Sequence, residues 1–182
     1  SNRINTPEIA EAVIEAGDAD LIALARPMLS DPEFVAKARV GRADEINTCI
    51  ACNQSCLDNI FKFQVASCLV NPRACREIEF DDGSAAQKKR IAIVGAGPAG
   101  LACAVTAAER GHAVTLYEAQ NEIGGQFNLA RRIPGKEEFA ETLRYFSRRI
   151  DVLGVALNLS TSPTADDLAQ GEFDEIIVAT GV

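Results

Sequence analysis

The run Ile91-Ala-Ile-Val-Gly-Ala-Gly-Pro-Ala-Gly100 leaves the backbone few choices. Apolar, largely β-branched residues suit a buried strand, and the glycines that follow them make a tight turn. Pro98 fits the first turn of a helix, and the small residues beyond it carry that helix towards Arg110. Strand, glycine turn and helix are the first half of a βαβ unit, which requires a parallel sheet covered by helices. A membrane helix over 91–108 is the weaker reading, because Gly95, Gly97, Pro98 and Gly100 would break it in the middle.

Gly95, Gly97 and Gly100 match G-x-G-x-x-G at the head of that helix. Gly95 permits the turn, Gly97 lets backbone approach a pyrophosphate, and Gly100 lets helix and strand pack closely. The helix N-terminus then offers free amides and a positive dipole end to the phosphates. A second strand, Ala113–Glu118, ends on an acid placed to bind ribose hydroxyls; an arginine there would suggest a 2′-phosphate. Ile123-Gly-Gly-Gln126 adds a further glycine turn, and Ile176-Ile-Val-Ala-Thr-Gly181 is a strand ending in Ala-Thr-Gly, both similar to motifs that accompany FAD in two-dinucleotide-domain flavoproteins. Between them the pattern predicts a helix over 136–153, with Phe139, Leu143, Phe146 and Ile150 on one face, and strands at 155–159 and 175–179.

Ahead of this unit, Cys49, Cys52, Cys56 and Cys68 are spaced C-x2-C-x3-C-x11-C. Thiolates crowded into one loop suit a [4Fe–4S] cluster, each iron taking one cysteine. Zinc prefers two separated knuckles or mixed histidine, and the single histidine, His112, is far along the chain beside the second strand. A zinc ribbon and incidental core thiols are the alternatives. Disulfides are weighed against the polar start Ser1–Thr6, which is no secretory signal, so reduced thiolates in the cytosol are expected. Cys75 and Cys103 fall outside the pattern and read as structural thiols. A cluster beside a nucleotide cofactor is an arrangement for passing single electrons.

The first forty residues predict a helix over 6–16, capped by Thr6, a buried strand at Asp20–Ala25, and a helix from Ser30 to about Val40. A lone βα repeat cannot bury its own strand, so the chain looks truncated at its beginning. Residues 44–76 read as loops and short turns around a cofactor, and the charged stretch from Glu79 as a linker. A net charge of −8 gives phosphate backbones no basic face, and neither nucleic acid nor membrane is expected as a partner.

Asn2-Arg-Ile-Asn5, Ala25-Arg-Pro27, Asp31-Pro-Glu-Phe34, the cysteine loop, Cys68-Leu-Val-Asn-Pro-Arg73 and Gly95–Gly100 together resemble bacterial 2,4-dienoyl-CoA reductases. These belong to the NADH:flavin oxidoreductases with an old-yellow-enzyme-like barrel. Gly124-Gly-Gln-Phe127 and Ile133–Phe139 extend the resemblance along nearly the whole chain. It implies an α/β fold in four segments: the last βα units of an FMN-binding TIM barrel (1–43), an iron–sulfur segment (44–78), a linker (79–89) and an incomplete Rossmann-like FAD domain (90–182). It further implies that Arg3, Ala25 and Arg26 contact FMN, that Cys49, Cys52, Cys56 and Cys68 ligate the cluster, and that Gly97, Ala99, Glu118, Gln126 and Lys136 line the FAD site.

By the same resemblance, the parent enzyme takes hydride from NADPH and reduces an unsaturated acyl-CoA in the cytoplasm. The proton donors would precede Ser1 and the NADPH domain would follow Val182, so this chain would hold the relay, inactive without the missing barrel and NADPH domain. Enoate reductase and amine dehydrogenase of the same superfamily remain alternatives, although the x3 between Cys52 and Cys56 favours the reductases over amine dehydrogenases, which carry x2. So do an electron-transfer subunit like the small subunit of glutamate synthase, and a zinc-stabilised nucleotide-binding module.

Overall fold

Thr6 caps the first helix, α1 (Pro7–Glu15), where the sequence predicts: its hydroxyl accepts from Ile9 N at 3.4 Å, and Pro7 fills the first turn. The computed structural model describes residues 3–80 and 83–181, and the chain divides into two units, residues 1–81 and 82–182.

The first unit contains α1, α2 (Arg26–Ser30), α3 (Phe34–Arg39) and α4 (Leu57–Phe61), with no strand among its described residues. The strand expected at Asp20–Ala25 is therefore not formed; Leu21 lies 87% exposed. A strand exists only where a neighbour pairs with its backbone groups, and no described segment of this unit does so. The predicted Ser30–Val40 helix is likewise shorter, because Asp31 is extended and joins two helices instead of lying inside one.

Asp31 organises the segments on either side of it. Its buried carboxylate accepts from Glu33 N at 3.0 Å, from Lys37 Nζ at 2.7 Å and from Asn47 N at 2.9 Å. Asn47 Nδ2 donates to Val70 O at 2.8 Å, and Asn71 Nδ2 to Leu29 O at 2.9 Å. One buried charge and two amides thus tie the chain before and after the cysteine loop to the helices that precede it.

The second unit is a four-stranded parallel sheet in the order β3-β2-β1-β4, comprising β1 (Arg90–Val94), β2 (Ala113–Tyr117), β3 (Ala156–Asn158) and β4 (Glu175–Val178). Helix α5 (Pro98–Glu109) crosses from β1 to β2; α6 (Phe127–Ala130) and α7 (Ala140–Val152) precede β3, and α8 (Ala165–Gln170) precedes β4. The helix predicted from Lys136 begins as a 3-10 turn at Glu137–Phe139 before α7. The core is formed by Ile91, Ile93 and Leu116 of the sheet with Leu101, Val105, Leu143 and Ile150 of the helices. Each such side chain contributes about 1.5–3 kcal/mol by burial. Neither α6 nor α8 is among the elements expected from the sequence; α8 starts with a capping box between Thr164 and Asp167.

Candidate functional site

In the second unit the chain runs β1 to β2 to β3 outward, then crosses to β4 on the other side of β1. Ligands in such sheets sit at the carboxyl ends of the strands, where the order reverses. A cavity of about 720 Å³ opens there, lined by the β1–α5 turn, the segment after β2, the second glycine turn and the end of β4. Among the residues expected from the sequence, it brings together Gly95, Gly97, Ala99, Glu118 and Gln126.

The glycines divide their labour as the motif predicts. At Gly95, φ is +105°, and a Cβ would lie 2.4 Å from Ala179 O. A Cβ on Gly100 would meet Gly95 O at 1.8 Å, so this residue lies behind the turn, where helix packs on strand. Gly97 differs, because a Cβ there would meet nothing within 4 Å while the residue lines the cavity. Its missing side chain keeps space open for a ligand. The second glycine turn closes on the first: Gly124 N donates to Ala96 O at 2.8 Å, and a Cβ on Gly125 would sit 3.3 Å from Gly97 Cα.

Glu118 is buried at the end of β2, and both of its oxygens are engaged. Oε2 accepts from Ala96 N at 2.8 Å and Oε1 from Gln120 N at 2.9 Å. The acid expected to hold ribose also fixes the glycine turn, a role the spacing alone did not reveal. Asn128 is a lining residue missed from the sequence. Its Nδ2 donates to Ile123 O at 2.9 Å, whereas its buried Oδ1 has no hydrogen-bond partner. Lys136 is not among the lining residues; its ammonium lies 5.3 Å from the Phe139 ring centroid, and Phe139 stacks on Phe127. An open cradle at Gly97 and the amides of the α5 N-terminus fit a dinucleotide.

In the first unit Cys49, Cys52, Cys56 and Cys68 line one small cavity, together with Arg26, Leu29 and Val70. The loop that carries them is strained: Ala51, Asn53 and Ser55 have φ of 51°, 60° and 60°. Non-glycine residues in that region cost about 1–3 kcal/mol each and collect where a site requires it. Asn5 Nδ2 donates to Cys49 O at 3.0 Å, and Ser67 N to Ser55 O at 2.9 Å, drawing the chain at Cys68 against the loop. Burial pushes the Cys52 thiol up, and the nearby Cys56 and Cys49 add to it; Cys68 is raised by burial first, with Cys49 and Cys52 adding.

Among the described residues no three of His, Cys, Asp and Glu close on a single-ion site. The four cysteines line one small cavity, and soft sulfur donors gathered there are the chemistry a polynuclear iron–sulfur group takes. All six cysteines are free. Cys75 is exposed, and Cys103 packs against the core of the second unit, its thiol raised by burial. Arg26 lines the cysteine cavity and its Nη1 donates to Asn53 Oδ1 at 2.5 Å. Arg3 and Ala25 are exposed and do not line it.

Sheet order, glycine turn and cavity together define a Rossmann-like nucleotide-binding domain. The family profile for NAD(P)-binding Rossmann-like domains matches residues 93–152. The chain is 41% identical to a metal reductase of Desulforamulus reducens, over 99% of its own length and 28% of the relative's. Of solved structures, a 2-naphthoyl-CoA reductase in complex with 2-naphthoyl-CoA matches with a TM-score of 0.95 and 40% identity, across 98% of this chain and 27% of that one. The 6-hydroxypseudooxynicotine amine oxidase of Pseudomonas geniculata N1 matches with a TM-score of 0.89 and 33% identity, across 97% and 27%. All three relatives are oxidoreductases, and the chain spans less than a third of the length of each. Among the described residues no helix is long and apolar enough to cross a membrane.

Proposed function

We propose that the chain is the electron-relay portion of a cytoplasmic NADPH-dependent flavin and iron–sulfur oxidoreductase that reduces an unsaturated acyl-CoA, in the manner of a 2,4-dienoyl-CoA reductase. The relay runs from FAD to a [4Fe–4S] cluster to FMN. In this assignment residues 1–43 complete an FMN-binding barrel, 44–78 hold the cluster, 79–89 link, and 90–182 bind FAD. The observation that carries it is the gathering of four thiols round one cavity, in a strained loop, within a chain that also builds a dinucleotide cavity. The acyl-CoA substrate is favoured by the likeness to a reductase solved with an aromatic acyl-CoA.

Bound flavin supplies exchange of two electrons or one, and the cluster exchange of one, so together they join a hydride donor to a single-electron carrier. The chain's own residues do the holding. Cys49, Cys52, Cys56 and Cys68 would ligate the cluster, and Gly97 would admit the pyrophosphate to the α5 amides. Glu118 would hold a ribose hydroxyl while keeping the turn in place, with Gly95, Ala99, Gly100 and Gln126 shaping the rest of the site. Arg3, Ala25 and Arg26 would face FMN.

Iron, sulfide and flavin content of protein prepared without oxygen tests the assignment. About four irons per chain, lost on Cys52→Ser while flavin is retained, is the expected result. Bound zinc with no broad visible absorption would overturn it.

A further inference from the structure

The dinucleotide cavity is lined by one basic side chain among the described residues, Arg132, which lies shortly beyond α6. It is exposed and makes no ion pair with any described residue. Its neighbour Arg131 is committed, with Nη2 3.1 Å from Glu122 Oε2. The cavity's own carboxylates are also spoken for: Glu122 by Arg131, and Glu118 by the two backbone amides. In a chain of net charge −8, a guanidinium with no ion-pair partner among the described residues, on the wall of a glycine-turn cavity, is a local exception. Asn128, four residues before Arg132, lines the same cavity.

Resting on the flavin-relay assignment above, we propose that Arg132 is the electrostatic anchor for the pyrophosphate of the bound dinucleotide. The glycine turn and the α5 N-terminus supply neutral donors and a partial charge. Arg132 supplies a full charge and a planar fork of donors that matches two phosphate oxygens at once. It is also the group whose field would draw an anionic ligand towards an otherwise acidic surface. A 2′-phosphate is the less suitable occupant, because the Glu118 carboxylate stands at the end of β2, where that phosphate would lie.

The test is titration of the full chain, freed of nucleotide, with FAD, ADP and adenosine, and with NAD⁺ against NADP⁺, for wild type, Arg132→Ala and Arg132→Lys. Because the side chain is exposed, the thermal midpoints should coincide. The anchor predicts that Arg132→Ala weakens FAD and ADP by about tenfold to a hundredfold and flattens their salt dependence. Adenosine binding should be unchanged, and lysine should restore part of the loss. Equal ADP affinity in wild type and Arg132→Ala overturns the anchor whatever the flavin does, as does wild type that takes no ADP. A loss confined to NADP⁺ would also overturn it, reassigning the arginine to a 2′-phosphate. Arg132-dependent ADP binding without FAD uptake sustains the anchor and removes the flavin assignment instead.

Discussion

Arg26 Nη1 donates to Asn53 Oδ1 at 2.5 Å, tying the first residue of α2 to the loop between Cys52 and Cys56. Asn53 is left-handed, with φ of 60°, and flanked by two more such residues. The bond joins α2 to a loop that carries three left-handed residues, and Arg26 brings a positive charge to the cysteine cavity.

Arg26→Ala should therefore lower the amount of iron retained after anaerobic reconstitution and speed its loss to a chelator. Asn53→Gly, which keeps the left-handed backbone without the hydrogen bond, separates the two contributions. Iron retention in Asn53→Gly near that of wild type would show that charge at the cavity matters more than the tether. Arg26→Ala that retains iron like wild type would remove both.

Two glycine substitutions in the same motif should fail in opposite ways. Gly100→Ala drives a Cβ against Gly95 O, so the thermal midpoint of the second unit should fall sharply. Overpacking of this kind costs about 1–3 kcal/mol or more. Gly97→Ala meets nothing within 4 Å and needs no unusual φ, so it should melt like wild type and bind FAD weakly. Calorimetry and flavin titration on both variants check the pair. Wild-type FAD affinity in a well-folded Gly97→Ala protein would show that the ligand does not approach the turn.

Glu118→Ala should destabilise the unliganded chain, because it strands the buried amide of Ala96, whereas the amide of the exposed Gln120 can turn to water. An unsatisfied buried donor costs about 1–3 kcal/mol, and roughly 4–8 °C of midpoint accompanies each kcal/mol in a domain of this size. Glu118→Gln keeps one acceptor oxygen and should recover part of the loss. A thermal scan without nucleotide isolates this structural share from any contact with ribose.

The start of α8 predicts a pH effect. The Thr164 hydroxyl and backbone amide hydrogen-bond Asp167 and hold its carboxyl below the usual carboxylate range. The folded state thus binds that proton more weakly than the unfolded chain. The stabilisation is present above the ordinary aspartate value and disappears as pH falls through the lower, folded value. Asp167→Asn should make stability less steep in acid, as read by denaturant midpoints between neutral pH and the acid range. An unaltered acid limb would exclude the contribution.

The local signals in the sequence were strong wherever a residue's own chemistry settled the outcome. Thr6 and Pro7 started α1, the glycines set the β1–α5 turn, and apolar runs located β1, β2, β3 and β4. The Asp20–Ala25 run shows the limit. Composition said strand, yet pairing is a property of a neighbour, and no described segment provides one. Helix α8 was legible in principle, since Thr164 and Asp167 carry the capping box, but its short apolar content hid it.

The order of residues was enough to put four thiols in a short stretch of chain and to join strand to helix through a glycine turn, because spacing and backbone freedom are local. Only the folded chain could show that Glu118 braces Ala96, that Arg26 reaches Asn53, that Lys136 turns to Phe139, and that Arg132 borders the cavity. Those relations join residues from 3 to 27 positions apart, and their distances are set by how helices pack on a twisted sheet or fold back on a loop. No pattern of residue types along the chain encodes them.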